Sequence, residues 1–340
     1  MTYQEVLTAA RGQMGPCKAC PVCNGLACRN TMPGPGAKGT GTVAARNYAK
    51  WQEIRVNLDT ICDNKPADTT CTLFGRTFRL PVFAGPVGAV NLHYGDKYDD
   101  LAYNDILVPA CAEAGIAAFT GDGTNPAVMR AAVKAIHTSA GTGVPTVKPG
   151  DPHTLHSKLE LVNGCGAFAL AMDIDAAGLP FLKNLTPPAG SKTVAELAEI
   201  AHATPLPFIV KGIMTVRGAR KAAEAGAAAI VVSNHGGRVL DQTPATAEVL
   251  EDIVQAVGGQ LTILVDGGIR SGVDVFKALA LGADGVLIAR PFVTAVYGGG
   301  ADGVRAYVDQ LEAELADTMV MCGAHSIGEI TRDMVTRIPD

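Results

Sequence analysis

A histidine and an arginine directly follow one apolar run of this 340-residue chain. The run at 229–232 leads into Ser-Asn-His-Gly-Gly-Arg-Val-Leu-Asp at 233–241. His235 is a residue type that accepts a proton near neutral pH, and Arg238 is one that binds a carboxylate. Because catalytic groups of α/β barrels lie at the carboxyl ends of strands, this segment predicts an active site.

A second candidate site follows two apolar runs further along the chain. Residues 261–265 lead into Asp-Gly-Gly-Ile-Arg at 266–270, and residues 285–289 lead into Arg290. Glycines let backbone N–H groups approach an anion, a following helix adds a favourable field, and arginine matches phosphate geometry. These runs therefore predict two consecutive strands that end in a phosphate site.

Eight short apolar runs alternate with helical patterns, such as the Ala-rich segment 216–226 with its C-capping glycine. Eight strand–helix repeats predict an α/β fold of the (β/α)8 TIM barrel type. Residues 1–75 are expected to form an N-terminal Cys-rich, Gly/Pro-rich cap, and residues 76–340 the barrel. The predicted strands are 80–84, 116–120, 144–148, 168–173, 207–211, 230–233, 263–266 and 286–289.

Composition favours one large catalytic domain. Hydrophobic residues make up 48% and charged residues 18%, which excludes wholesale disorder, and a net charge of −5 gives no reason to expect nucleic acid. No uncharged apolar run reaches the roughly 18 residues of a membrane span, and the N-terminus lacks a signal-peptide pattern. Nine cysteines are an odd count that argues against a disulfide framework. We expect a cytoplasmic protein that binds a small molecule.

Four segments together resemble one known family. They are Ile-Val-Lys-Gly at 209–212, the run 233–241, Asp266 to Gly272, and Asp-Val-Phe-Lys-Ala-Leu-Ala-Leu-Gly-Ala at 274–283. They resemble the FMN-dependent 2-hydroxy-acid oxidases and dehydrogenases, of the glycolate oxidase and lactate oxidase type. The resemblance is close from about 206 to 333, thinner over 81–175, and absent before 34. It implies an FMN-binding barrel, oxidation of a 2-hydroxy acid, and a tetramer or octamer.

The resemblance also implies catalytic roles. Lys211 would stabilise the anionic reduced flavin, although a lysine that caps a strand end is the alternative. His235 would take the hydroxyl proton while hydride reaches flavin N5, and Arg238 would bind the carboxylate. Asp173 matches the aspartate that hydrogen-bonds the histidine, whereas Asp175 is equally well explained as a helix N-cap.

Further residues are implied as flavin contacts. Backbone at 86–88 would line the N5 side, and the residues after the last two strands would hold the ribityl chain and phosphate. Ala289 replaces the family's usual glycine beside the arginine. The implied cofactor-binding residues are Pro86, Val87, Gly88, Thr120, Lys211, Ser233, Asp266, Gly268, Arg270, Ala289 and Arg290, with Lys148 as a flavin or substrate contact.

Three substrate-binding groups of the family are missing. One tyrosine position falls on Met32, a Gln-x-Tyr pattern is absent from 145–148, and no arginine lies at 176–183. One lost charge-assisted contact is worth about 1.5–3 kcal/mol, enough to change substrate preference. Simple lactate or glycolate is therefore an unfavourable substrate, and an isomerase, an ene-type reductase or a passive phosphate binder remain alternatives. Candidate replacements are Lys148, Lys183, His93 and Tyr94.

The N-terminus carries a cysteine motif that the family pattern lacks. Cys17, Cys20, Cys23 and Cys28 have the spacing C-x2-C-x2-C-x4-C, which suits a tetrahedral zinc ion or an iron–sulfur cluster. The alternative is a set of reduced cysteines that pack the cap. A cluster near FMN would imply a dehydrogenase that passes electrons to a carrier protein, whereas zinc would be structural.

Overall fold

The computed structural model describes residues 1–179, 182, 184 and 189–338. Eight parallel strands close into a barrel, which confirms the predicted fold. The barrel closes where its last strand pairs with its first, with Val286 opposite Val82. Each predicted run overlaps an observed strand. In chain order these are β4 (Val82–Ala84), β5 (Ala117–Thr120), β6 (Gly143–Val147), β7 (Leu170–Asp173), β8 (Phe208–Ile213), β9 (Ala229–Val232), β10 (Thr262–Asp266) and β11 (Gly285–Ile288).

Helices follow the strands and cover the outside of the barrel. Their starts are fixed by side-chain caps, for example Thr215, which accepts a hydrogen bond from the Gly218 N–H. The helices of the barrel region include α3 (Val90–Tyr94), α4 (Asp100–Glu113), α5 (Pro126–Thr138), α6 (Pro152–Asn163), α7 (Val194–His202), α8 (Val216–Glu224), α9 (Thr246–Val257), α10 (Gly272–Ala280) and α11 (Arg290–Met321), the last with a break at Gly300.

The barrel interior is filled by alternate side chains of the strands, as the two-residue period of a strand requires. Phe83 and Phe119 belong to this core, and their ring centroids lie 6.2 Å apart. A hairpin of β2 (Cys71–Leu73) and β3 (Arg76–Phe78) closes the amino-terminal end, where Phe78 packs on Phe83. Side chains thus fill the interior of the barrel.

The N-terminal extension, residues 1–75, wraps the barrel. Helix α1 (Tyr3–Ala10) packs against α11, and α2 (Thr42–Gln52) packs beside the loop after β9. Residues 11–41 contain no helix or strand. A short strand β1 (Ile54–Val56) pairs with the C-terminal β12 (Val335–Arg337). The division at residue 75 stays a prediction. Within the described ranges, none of the helices combines the length and apolarity that crossing a membrane requires.

Candidate active site

A cavity of about 400 Å³ opens at the carboxyl ends of the barrel strands and is called the site cavity below. Residues from the loops after β4, β9, β10 and β11 line it, together with the end of β8. Most of the predicted catalytic and cofactor-binding residues meet there. Those that line it are Pro86, Val87, Gly88, Lys211, His235, Arg238, Asp266, Gly268, Arg270, Ala289 and Arg290.

His235 is held by a carboxylate, but not by the predicted one. Its Nδ1 lies 3.0 Å from Asp175 Oδ1, so the prediction that Asp173 hydrogen-bonds the histidine is wrong. Asp173 is the last residue of β7, whereas Asp175 lies in the 3₁₀ turn that follows. The turn places Asp175 beside the loop after β9, which carries His235. With Nδ1 committed to Asp175, Nε2 remains available for a substrate.

Asp173 instead neutralises two lysines. Its side chain is 1% exposed, with Oδ2 2.6 Å from Lys148 Nζ and Oδ1 3.0 Å from Lys211 Nζ. Burial alone would raise the pKa of Asp173, but the two ammonium groups hold it well below its usual value. Asp173 therefore stays ionised and fixes the positions of both lysines.

Lys211 reaches the cavity from β8. Its Nζ also lies 3.6 Å from Asp266 Oδ2. Burial lowers the pKa of Lys211, but Asp173 and Asp266 outweigh it and raise this pKa above its usual value. A bulge between Lys211 and Ile213 interrupts the pairing of β8 with β9 at this point. The cation is thus fixed and permanently charged at the floor of the cavity.

The part of the cavity beside Arg290 is suited to an anion. Arg290 is the first residue of α11, and its Nη1 is buried without a hydrogen-bond partner in the described part of the chain. Asp266 Oδ1 is likewise buried and unpaired there. The positive end of the helix and the free guanidinium nitrogen favour phosphate at this place.

Arg238 is fixed by the extension. Its Nη1 donates to the carbonyls of Gly34 at 2.6 Å and Gly36 at 3.1 Å, and its Nη2 lies 3.0 Å from His93 Nε2. Burial and the charge of Arg238 lower the pKa of His93 to about 4. His93 is therefore neutral at physiological pH, and its Nδ1 accepts the Gly34 N–H at 3.0 Å.

Two predicted cofactor contacts lie off the cavity. Thr120 is buried with its hydroxyl unpaired, and Ser233 Oγ accepts the His235 N–H at 3.1 Å. Three candidate replacements for the missing substrate groups, Lys148, His93 and Tyr94, do line the cavity. The fourth, Lys183, lies outside the described residues. The spacing of two between Asp173 and Asp175 is the sequence signal for Asp175, but it does not indicate which of the two carboxylates contacts His235.

The four cysteines of residues 17–28, here the cysteine loop, line a second cavity of about 270 Å³, the cysteine cavity. They form no disulfide. Arg270 and Arg290 line both cavities, and Arg270 Nε donates to the Cys23 carbonyl at 2.7 Å. Burial raises the pKa of the Cys23 thiol, yet Arg270 and Arg290 bring it below its usual value. The two cavities thus share a wall of arginine side chains.

The cysteine sulfurs are spread around their cavity. In the described ranges, the search for three or more ligand atoms within 4.8 Å of one another finds Asp173, Asp175 and His235, and no three of the cysteines. The carboxylate–histidine group is an unfavourable metal site, because the ammonium groups of Lys148 and Lys211 already occupy Asp173.

The fold and cavity define a barrel enzyme whose cavity brings together arginine side chains, a carboxylate-held histidine and a buried lysine. A model of the family described as FMN-dependent dehydrogenase matches residues 34–184 and 182–337. The chain belongs to this family, whose recognition from sequence is confirmed.

Named relatives agree with this assignment. Over 132 residues the chain is 53% identical to a peroxisomal (S)-2-hydroxyacid oxidase of Arabidopsis thaliana, covering 39% of this chain and 36% of that protein. The match thus spans about a third of the length of this curated relative. A mandelate oxidase structure with 2-hydroxy-phenylacetamide has a TM-score of 0.80 at 27% identity, covering 98% of this chain and 97% of that one. A flavocytochrome b2 structure gives 0.78 at 25% identity, covering 89% and 80%.

The site fits FMN, the cofactor of the family. Arg290, with its unpaired Nη1 at the start of α11, would hold the phosphate, and the unpaired Oδ1 of Asp266 would accept from a ribityl hydroxyl. Lys211 would lie at the flavin ring. When bound, FMN supplies an acceptor for a hydride.

Proposed function

We propose that the protein oxidises a 2-hydroxy acid to the 2-oxo acid with FMN. One observation carries the proposal: the site cavity brings a carboxylate-held histidine, His235, together with Arg238 and Lys211. The substrate has a hydroxyl proton, a hydride on C2 and a carboxylate. The cavity offers a base for the proton and a guanidinium for the carboxylate, and FMN held there would accept the hydride.

His235 acts as the base through Nε2. Its Nδ1–H donates to Asp175, which fixes the tautomer and stabilises the imidazolium that forms when the proton arrives. The left-handed backbone of His235, with φ of 55°, directs the loop so that the ring faces the cavity. The proton of the substrate hydroxyl thus moves to Nε2 as the C2–H bond breaks.

Arg238 binds the substrate carboxylate. The carbonyls of Gly34 and Gly36 occupy its Nη1, which holds the guanidinium in place before the substrate arrives. Lys148 adds a second cation at the cavity wall and replaces part of the missing clamp. Because Asp173 already balances Lys148, the second contact is weaker than an unpaired arginine would provide.

The substrate carries an apolar substituent. Leu92, Val128 and Leu179 line the cavity alongside the polar groups. The burial of apolar area contributes roughly 25 cal/mol per Å², so a larger side chain compensates for the lost tyrosine and arginine contacts. This supports 2-hydroxy acids larger than glycolate or lactate.

The test is an anaerobic titration of the FMN-loaded protein with a panel of 2-hydroxy acids that range from glycolate to aromatic acids. Stoichiometric bleaching of the flavin absorbance, strongest with the larger acids, is expected. A protein that retains FMN but is bleached by none of the acids would contradict the proposal. Turnover of an unrelated substrate without net flavin reduction would identify an isomerase instead.

Electrons leave to a carrier protein in this proposal, because the cysteine loop lies beside the site cavity and shares Arg270 and Arg290 with it. Anaerobic reoxidation by a one-electron acceptor should outpace reoxidation by oxygen. Cytoplasmic location and assembly into tetramers or octamers stay predictions.

A further inference from the structure

The cysteine loop is the largest feature that the oxidation chemistry leaves unexplained. Residues 11–41 form neither helix nor strand, yet they lie against the barrel and contribute Pro35 to both cavities. Loops of this length inside a compact fold are uncommon without a function or a staple. The four cysteines within twelve residues of this loop could hold it in place by binding a shared metal group.

The cysteine cavity has solid walls on the barrel side. Helix α1 contributes Tyr3, α11 contributes Tyr307, and their rings stack at 4.3 Å. The Tyr307 hydroxyl donates to the Arg270 carbonyl at 2.9 Å, and Arg270 in turn holds the Cys23 carbonyl. The cysteine loop, α1, α11 and the loop after β10 thus contact one another around the cysteine cavity.

The spacing of the sulfurs does not match that around a single bound ion. Zinc lies about 2.3 Å from each thiolate, so any two of its sulfurs are at most about 4.6 Å apart. No three of the four cysteine sulfurs lie within 4.8 Å of one another, although all four line one cavity. The cavity of about 270 Å³ also has room for a group larger than one ion.

We propose that Cys17, Cys20, Cys23 and Cys28 hold a [4Fe–4S] cluster in the cysteine cavity. Such a cluster binds each thiolate to a different iron, which holds the sulfurs further apart than a single ion does. The four cysteines here line one cavity, and no three of their sulfurs lie within 4.8 Å of one another. The spacing C-x2-C-x2-C resembles that of ferredoxin-type cluster loops. Arg270 and Arg290 offset the negative charge of the thiolates from the wall shared with the site cavity.

The cluster has a position suited to electron transfer from the flavin. Oxidation of one 2-hydroxy acid releases two electrons and two protons. One proton would pass to His235 Nε2, and the other would leave C2 with the electron pair as a hydride to FMN. The cluster would then pass the two electrons singly to a one-electron carrier protein, and the reoxidised flavin would release its proton to solvent. Positive charge from Arg270 favours the reduced cluster and raises its potential toward that of the flavin. This relay role rests on the proposed function, whereas the presence of the cluster does not.

The first test is composition. Protein purified without oxygen should contain about four iron and four acid-labile sulfide atoms per chain, and dithionite should produce the electron paramagnetic resonance signal of a reduced cubane cluster. Zinc without sulfide would overturn the proposal, and so would protein that takes up no iron on anaerobic reconstitution. FMN content is measured on the same sample and is independent of either result.

The second test uses two cysteine variants. Cys20→Ser should lose most of the iron and sulfide while it keeps FMN, because Cys23, not Cys20, contacts Arg270. Cys62→Ser is the matched control, since Cys62 is exposed and lines neither cavity, and it should keep the full iron content. If Cys20→Ser does not fold, Cys17→Ser provides the same comparison. Equal iron in the variant and control would overturn the assignment.

The third test addresses the relay. Substrate added anaerobically to wild-type protein should bleach the flavin and then produce the cluster signal, whereas in Cys20→Ser it should only bleach the flavin. Bleaching without any cluster signal in iron-loaded wild type would overturn the relay role. If no acid bleaches the flavin but iron and sulfide are present, the proposed substrate class fails and the cluster stands.

Discussion

At the residue scale, His235 is the group on which the proposed chemistry depends most. His235→Asn removes the base while it keeps a polar side chain, so substrate reduction of the flavin should slow by about 10²–10⁴-fold. Stopped-flow absorbance measures this rate directly. His202→Asn is the control, because His202 is exposed on α7 and should leave the rate unchanged. A slowing of less than tenfold in His235→Asn would assign the base elsewhere.

Substitutions of Asp173, the last residue of β7, and of Asp175, in the turn that follows, should have different effects. Asp175→Asn replaces the acceptor of the Nδ1–H bond and should slow flavin reduction on the order of 10²-fold with little loss of stability. Asp173→Asn leaves Lys148 without its counter-charge and Lys211 with only the more distant Asp266, and it should destabilise the fold by about 3–5 kcal/mol. Each variant is the control for the other in paired urea-denaturation and stopped-flow measurements. The reverse pattern would restore Asp173 as the partner of the histidine.

His93 predicts a pH dependence of stability. Its pKa of about 4 in the folded chain is below the usual value of about 6.5, because of burial and Arg238. Between these values the unfolded chain binds more protons, so stability should fall as pH decreases from about 6.5 to 4. His93→Gln, which still offers an acceptor to the Gly34 N–H, should flatten this decline. Urea midpoints at several pH values measure it, and parallel curves for both proteins would contradict the assignment.

At the element scale, the loop after β10 depends on the close approach of α2. Gly268 has φ of +88°, and an added Cβ would lie 2.2 Å from the Asn47 carbonyl oxygen. Gly259 has φ of +79° with nothing within 4 Å, so it isolates backbone strain alone. Gly259→Ala should cost about 1–2 kcal/mol, and Gly268→Ala about 1–3 kcal/mol more. Urea denaturation compares the two variants. Equal losses of unfolding free energy would mean that α2 can move away from the added methyl group without destabilising the fold.

The strands were predictable from sequence because each is a short apolar run in a barrel that buries both faces. The catalytic loop was predictable as well, since the motif at 233–241 keeps its residues adjacent. The hydrogen-bond partner of His235 was not predictable. Asp173 and Asp175 are two residues apart, and only the local turn that contains Asp175 decides which of them reaches the histidine. Nor did the sequence show that Gly34 and Gly36 hold Arg238, since their contacts join positions about 200 residues apart.

At the scale of the whole molecule, the extension and the barrel are joined at one end. Side-chain amides of Asn47 and Asn234 exchange two hydrogen bonds of 2.8 Å, and Trp51 donates to the Gly267 carbonyl. The same loops after β9 and β10 line the site cavity. The extension therefore stabilises the loops that carry the base and the flavin contacts, and binding of FMN should stabilise the extension in return.

FMN binding should therefore stabilise the folded chain as a unit. With free FMN at a hundred times its Kd, the gain in unfolding free energy is about 2.7 kcal/mol. Arg290→Ala removes a charge-assisted phosphate contact and should raise Kd by about 10- to 150-fold, so the gain at the same FMN concentration falls below about 1.5 kcal/mol. Arg220→Ala is the control, because Arg220 is exposed on α8, away from both cavities. Thermal unfolding with and without FMN measures both, and an unchanged gain in Arg290→Ala would place the phosphate elsewhere in the site cavity.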